Sequence, residues 1–316
     1  MRSGFLVTSH RKKLWNVQIG LIKEFERICK KHNLKWWACG GTLLGAARHK
    51  GFIPWDDDVD VAMLRPDYNR FLDVAAAEIK YPYFLDNWYD YTIESEETDE
   101  KKSAKFQYIT REQEMKFPYR WFTQWPSIRL RDSRTTFIEG GFEKVTTIHQ
   151  GIFIDIFPYD SMPPFNEDKR KINFAIACEI MMAAAVPRKF KELMKTDRKF
   201  FINRNELINF LRQPFRQRGR YFDNFAEKIF FSSEKVGNMH HYGIAPGFSY
   251  DTKDFDETVY LPFEEIEVPA PIGWENYLAT QYGNWRKMIY THKHAQEWST
   301  YIPYYEYYRT SVFMKG

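Results

Sequence analysis

Four aspartates fall within five positions of GFIPWDDDVD, residues 51–60: Asp56, Asp57, Asp58 and Asp60. Carboxylates this close repel one another, and a cation among them offsets the cost. With Asp58 and Asp60 on one strand, both side chains share a face, because alternate residues point the same way. Asp56 has the same parity and joins them if the strand begins early, whereas Asp57 would face away. Hard oxygen ligands of this kind suit Mg2+ or Mn2+, which combine carboxylates with the phosphate oxygens of a substrate. An EF-hand is excluded, since its glycine and its twelfth-position glutamate are missing. A solvated acidic loop is the competing explanation.

Asp155 offers another carboxylate. It lies among isoleucines and phenylalanines in GIFIDIF (151–157), which reads as a buried strand. A buried carboxylate needs compensation, so it is either a functional group or a structural aspartate bonded to backbone or arginine. Upstream, Gly40 and Gly41 follow the short aromatic segment KWWAC and precede Thr42. Glycines there let backbone N–H groups approach a phosphate at a helix N-terminus, and Thr42 adds a hydroxyl and a cap. Arg48, Arg129 and Arg131 are the candidate phosphate cations, the latter two on one face of a strand. His149 either contacts substrate or caps and packs, and Glu264 is either a donor contact or a surface glutamate.

These residues need elements to carry them. Apolar spacing predicts a helix at 11–32, a strand at KWWAC, a short helix capped by Thr42, a strand at DVDVAML and a helix at RPDYNRFLDVAAAEIK. Further strands are expected at 126–132 and 151–157, and a last helix, WENYLATQYG, closed by Gly283. The basic stretch 166–231 shows helical character only. The expected fold is α/β (α+β), with a mixed-sheet core over residues 1–160, a helical insertion over 161–245 and a C-terminal segment, 246–316, completing the core.

Composition narrows the classes. With 46 basic and 42 acidic side chains the formal charge is +4, too balanced for a dedicated nucleic-acid binder. Three scattered cysteines give neither a disulfide framework nor a zinc spacing, and His240-His241 and His292-x-His294 lack suitable partners for zinc. No leader or membrane-spanning run is visible, so a cytoplasmic protein is expected. The basic, aromatic insertion segments RKFKELMKTDRKFF and RQPFRQRGRYF form a solvated face or a peripheral contact with the inner membrane surface. Trp36, Trp37, Trp55, Trp121 and Trp125 lie near the motifs, as packing or as faces for a quaternary ammonium.

GGTLLGAARHKGFIPWDDDVDVAM resembles the signature of the LicD family. IRLRDSRTT, HQGIFIDIFPYD and VPAPIGWENYLATQYGNW resemble three further motifs in the same order, so the likeness runs from about 20 to 290 except for the insertion. The resemblance implies a nucleotidyltransferase-like core and a phosphotransferase. Its members move phosphocholine from CDP-choline, or ribitol phosphate from CDP-ribitol, onto sugars, with Asp56, Asp58 and Asp60 as the metal carboxylates. The expected partners are therefore CDP-choline or another CDP-alcohol and a glycan acceptor, lipid-linked or free, with Mg2+ or Mn2+ as cofactor. Asp155 is the general base or an extra ligand. Ribitol or glycerol phosphate transfer, and true nucleotidyl transfer from an NTP, are the alternatives. Tyr282-Gly283-Asn284, Pro158-Tyr159-Asp160 and Arg129 depart from the family pattern, which bears on donor or acceptor choice.

Overall fold

The computed structural model describes residues 2–86, 92–94, 106–108, 127–139, 149–162, 234–238, 249–288 and 299–302. Helix α1 (Ser9–Lys31) follows the apolar spacing of the sequence, burying Leu14, Leu21, Phe25 and Ile28. The Thr8 hydroxyl starts it by accepting the Arg11 N–H at 3.1 Å, and Lys30 and Lys31 complement its C-terminal dipole. Next come β1 (Trp37–Ala38), α2 (Gly40–His49) and β2 (Asp60–Leu64). Helix α3 (Arg65–Glu78) places Pro66 in its first turn, where no intrahelical N–H is required.

Strands β3 (Tyr83–Asp86), β4 (Thr92–Glu94), β5 (Phe106–Tyr108), β6 (Ile128–Asp132), β7 (Thr136–Glu139) and β8 (Ile152–Met162) follow. After β9 (Lys235–Gly237) and β10 (Tyr250–Asp251), the chain makes a 3-10 turn and an antiparallel hairpin of β11 (Thr258–Phe263) and β12 (Ile266–Pro271). Helix α4 (Trp274–Tyr282) stops at Gly283, whose φ of 62° is open to glycine. Strand β13 (Ser299–Ile302) pairs with β7.

The main sheet contains the run β1-β2-β8-β6-β3. β2 and β8 are interior to it, so Val61, Ala62, Met63, Ile152, Ile154 and Ile156 are fully buried. Continuous apolar runs of this length are what a strand covered on both faces requires. The fold is mixed α/β, as expected. Strand β8 extends to Met162, beyond the expected 151–157.

Two compact units divide the chain: Met1–Asp86, Ile128–Pro158 and Tyr250–Gly316 form the first, Asn87–Ser127 and Tyr159–Ser249 the second. All the candidate site residues belong to the first. In the second, β4 pairs with β5, and β9 pairs with the end of β8, Val236 opposite Ser161. The helical stretch expected at 166–231 lies outside the described residues, as do Trp121, Trp125 and the histidines at 240–241, 292 and 294. Trp36, Trp37 and Trp55 are buried packing residues. Trp36 lies edge-on to Phe25 at 5.3 Å, and the Trp37 indole donates to the Thr258 hydroxyl at 3.0 Å.

Candidate active site

The acidic loop enters the sheet from one end. β2 begins at Asp60, so Asp56, Asp57 and Asp58 precede the strand and strand parity does not govern them. The sequence expectation that Asp57 faces away is corrected accordingly: carboxylate oxygens of Asp56, Asp57 and Asp58 all lie within 4.8 Å of one another. Asp60 is anchored separately. Its N–H donates to the Thr42 hydroxyl at 2.8 Å, and the neighbouring Val59 carbonyl accepts the Asp155 N–H at 2.8 Å.

Gly40 and Gly41 form the first turn of α2 itself, with Cys39 as N-cap, so Thr42 sits inside the helix instead of capping it. A side chain at either glycine would strike the acidic cluster. An added Cβ at Gly40 would lie 2.9 Å from Asp60 Oδ2, and one at Gly41 2.7 Å from Asp56 Oδ2. The glycines therefore make room for carboxylates at the positive end of a helix dipole. The Gly40 N–H donates to the Tyr277 hydroxyl at 3.2 Å, which ties α4 to the same turn. Gly40 holds a φ of 52°, a second reason for glycine there.

Burial first, then mutual repulsion, raises the proton affinity of the cluster. Asp56 is pushed up to about 7 by burial and by Asp60 and Asp57, against Arg11 and a hydrogen bond with Asp58. Asp58 lies well above the usual carboxylate range through burial, Asp56 and Asp57. Asp60 is raised by burial, Asp58 and Asp155, and Arg129 offsets only part of this. The Asp56–Asp58 hydrogen bond acts in opposite senses on the two groups, lowering Asp56 and raising Asp58. Each of the three keeps part of its surface open. A set of hard oxygens whose proton affinity is raised by burial and mutual repulsion fits a divalent cation.

Asp155 faces Arg129 across β8 and β6, and Arg129 Nε donates to its Oδ1 at 2.7 Å, with side-chain exposures of 9% and 7%. Of the two alternatives left by the sequence, the arginine partner is therefore present, and the charge coupling to Asp58 and Asp60 is present too. Arg129 and Arg131 do share a face, at 3.9 and 4.8 Å from the Phe153 ring centroid. Arg131 is committed to Asp86 Oδ2 at 2.7 Å and to the Gly151 carbonyl at 2.9 Å.

The remaining candidates are engaged by other partners. Arg48 donates to the Trp285 and Lys287 carbonyls at 3.3 and 3.5 Å, with Nε buried and unbonded. His149 stacks on Phe84 at 4.3 Å, accepts the Gly151 N–H at Nδ1 and meets the Ser133 hydroxyl through Nε2, and burial first, then Arg131, holds it neutral. Glu264, at the β11–β12 turn, is ion-paired with Arg2 and accepts the Phe52 N–H at 3.0 Å. Sequence reasoning missed Tyr277 and Tyr282. Tyr282 is 39% exposed, and burial first, then the nearby Asp60, raises the pKa of its hydroxyl. Tyr282 was visible only as part of the Tyr282-Gly283-Asn284 motif, and nothing in the local pattern of α4 marked Tyr277, whose place at the site comes from the tertiary contact with Gly40.

Residues 33–135 match the profile described as LicD/FKTN/FKRP, nucleotidyltransferase domain. The chain carries a LicD-family domain. It spans the α2 glycines, the acidic loop, Arg129 and Arg131, while Asp155 and Glu264 follow it. The chain is 27% identical over 284 residues to the lipopolysaccharide cholinephosphotransferase LicD of Haemophilus influenzae, covering 86% of this chain and 89% of that protein. It is 44% identical over 51 residues to the human ribitol 5-phosphate transferase FKRP, or 16% of this chain and 10% of that one. A Rickettsia prowazekii protein is 32% identical over 112 residues, 35% of this chain and 38% of its own length.

Proposed function

We propose that the protein is a metal-dependent phosphotransferase that moves a phosphoalcohol, phosphocholine foremost, from a CDP-activated donor to a sugar hydroxyl of a cell-surface glycan or its lipid-linked precursor. The observation that carries this is the convergence of the acidic loop on the N-terminus of α2, in a chain similar along most of its length to a cholinephosphotransferase. Asp56, Asp58 and Asp60, with Asp57 beside them, would hold Mg2+ or Mn2+. A divalent ion there supplies charge neutralisation for the diphosphate and its leaving phosphate. The oxygen of the acceptor hydroxyl bonds to the phosphorus bearing the alcohol, the bond to the bridging oxygen breaks, and CMP leaves. Asp155 takes the hydroxyl proton or contributes an oxygen to the cation, and Arg129 orients it. The N-terminal amides of α2 favour the negative phosphate. Catalysis of this kind rests on positioning and electrostatics more than on covalent chemistry.

True nucleotidyl transfer is the second reading, favoured by the description of the matched domain. Products separate the two. Incubation with CDP-choline, CDP-ribitol, CDP-glycerol or CTP, with and without Mg2+, is expected to give Mg2+-dependent CMP from CDP-choline. Pyrophosphate from CTP, with no CMP from any CDP-alcohol, would replace phosphotransfer by nucleotidyl transfer. Among the described residues, no helix is long and apolar enough to cross a membrane. Contact of the basic insertion with anionic lipid rests on its sequence, and salt-sensitive sedimentation with anionic liposomes tests it.

A further inference from the structure

We propose that one face of α1 is a positioning device for the acidic loop, and that Trp15, Gln18 and Arg11 set the cation affinity of the carboxylates by holding their backbone. The inference rests on the cation site proposed above. The three residues stand at i, i+4 and i+7, which places them on a single helix face. Arg11 Nη1 donates to the Asp56 carbonyl at 2.6 Å, and the Trp15 indole N–H donates to the same oxygen at 3.1 Å. Gln18 Nε2 donates to the Asp57 carbonyl at 2.7 Å. All three are buried, at 0%, 4% and 1% exposure.

Polar groups on the buried face of a helix cost free energy, so their presence asks for a compensating task. Here the task is visible. Residues 56–58 precede β2, and the backbone of Asp56 and Asp57 is held by donors from α1. Holding the two carbonyls fixes the peptide planes of Asp56 and Asp57, and through them the directions of the side chains that leave those planes. Arg11 goes further. Its Nε and Nη2 are buried without a hydrogen-bond partner, so hydrogen bonding alone does not account for its burial. It is a fixed positive charge held against the loop at the Asp56 carbonyl. Neutral variants of Trp15 and Gln18 are the cleaner test, because replacing Arg11 alters charge and geometry together.

Mn2+ binding to the full chain, followed by electron paramagnetic resonance, needs no donor or acceptor. Trp15→Phe removes one donor while keeping a ring against Phe52, which stacks on Trp15 at 4.7 Å. Gln18→Met removes another at similar volume. Each is expected to weaken Mn2+ binding about tenfold, the effect of losing roughly one aligned hydrogen bond. Ile22→Val, a core change on the same helix, lowers the melting temperature and leaves Mn2+ affinity unchanged. If one donor variant fails to fold, the other carries the test. Lowered melting temperatures with wild-type Mn2+ affinity would overturn the positioning role and leave the site intact. A wild-type chain that takes up no Mn2+ would overturn the site and the positioning role together.

Discussion

Arg129 and Asp155 are the residues where a buried charge had to be explained, and each explains the other. Removing one member takes the opposite charge away from the other at a site where both side chains are less than a tenth exposed, which is the costly case for a buried ion pair. Arg129→Met is therefore expected to destabilise the fold by about 3–5 kcal/mol in chemical denaturation. Arg129→Lys should recover part of this, since it keeps the charge but not the planar fork. Asp86→Ala is expected to cost a similar amount, because it removes the carboxylate that neutralises Arg131, whose side chain is 3% exposed, and leaves it the Gly151 carbonyl. Asp155 was legible in the sequence as a carboxylate out of place among apolar neighbours. Its partner was not, because Arg129 lies on another strand and register alone brings the two together. Asp57 was misjudged for a related reason: the parity argument needs a strand, and the strand starts three residues later.

At the scale of elements, the helices and the strands at KWWAC, DVDVAML, 126–132 and 151–157 follow from the sequence pattern, and others do not. Strand β3, with half-buried Tyr83, Phe84 and Leu85, has no distinctive pattern and gains its place from β6. The glycine pair was recognisable, but its reason was not: it admits the carboxylates of Asp60 and Asp56 against α2. Gly41→Ala is expected to displace Asp56 and weaken Mn2+ binding without unfolding the chain. Gly40→Ala adds about 1–2 kcal/mol of left-handed backbone strain to the same collision. The end of α2 carries a pH effect. Burial first, then Arg48 and Arg2, holds His49 down to about 4 from an ordinary 6.5. The folded state thus prefers the neutral ring, so this stability is complete above the ordinary value and declines as pH falls toward the folded one. His49→Gln should flatten that part of the decline, read from urea midpoints at about pH 7.5 and about pH 4.5.

For the whole molecule, the acidic cluster couples folding to cation binding. Its raised proton affinities mean that the fold binds protons the unfolded chain has released, so an empty cluster destabilises the protein increasingly as pH rises from the ordinary 3.8 toward the value of about 7 held by Asp56. A bound cation removes that penalty, and its thermal shift should be larger at about pH 8 than at about pH 5, where protons compete. The most direct measurement compares CMP release from CDP-choline and Mg2+ by the wild-type chain and by an Asp58→Asn/Asp60→Asn double variant of verified fold. Release by the wild type and its loss in the variant is the expected result. A double variant as active as the wild type would contradict the assignment of chemistry to these carboxylates.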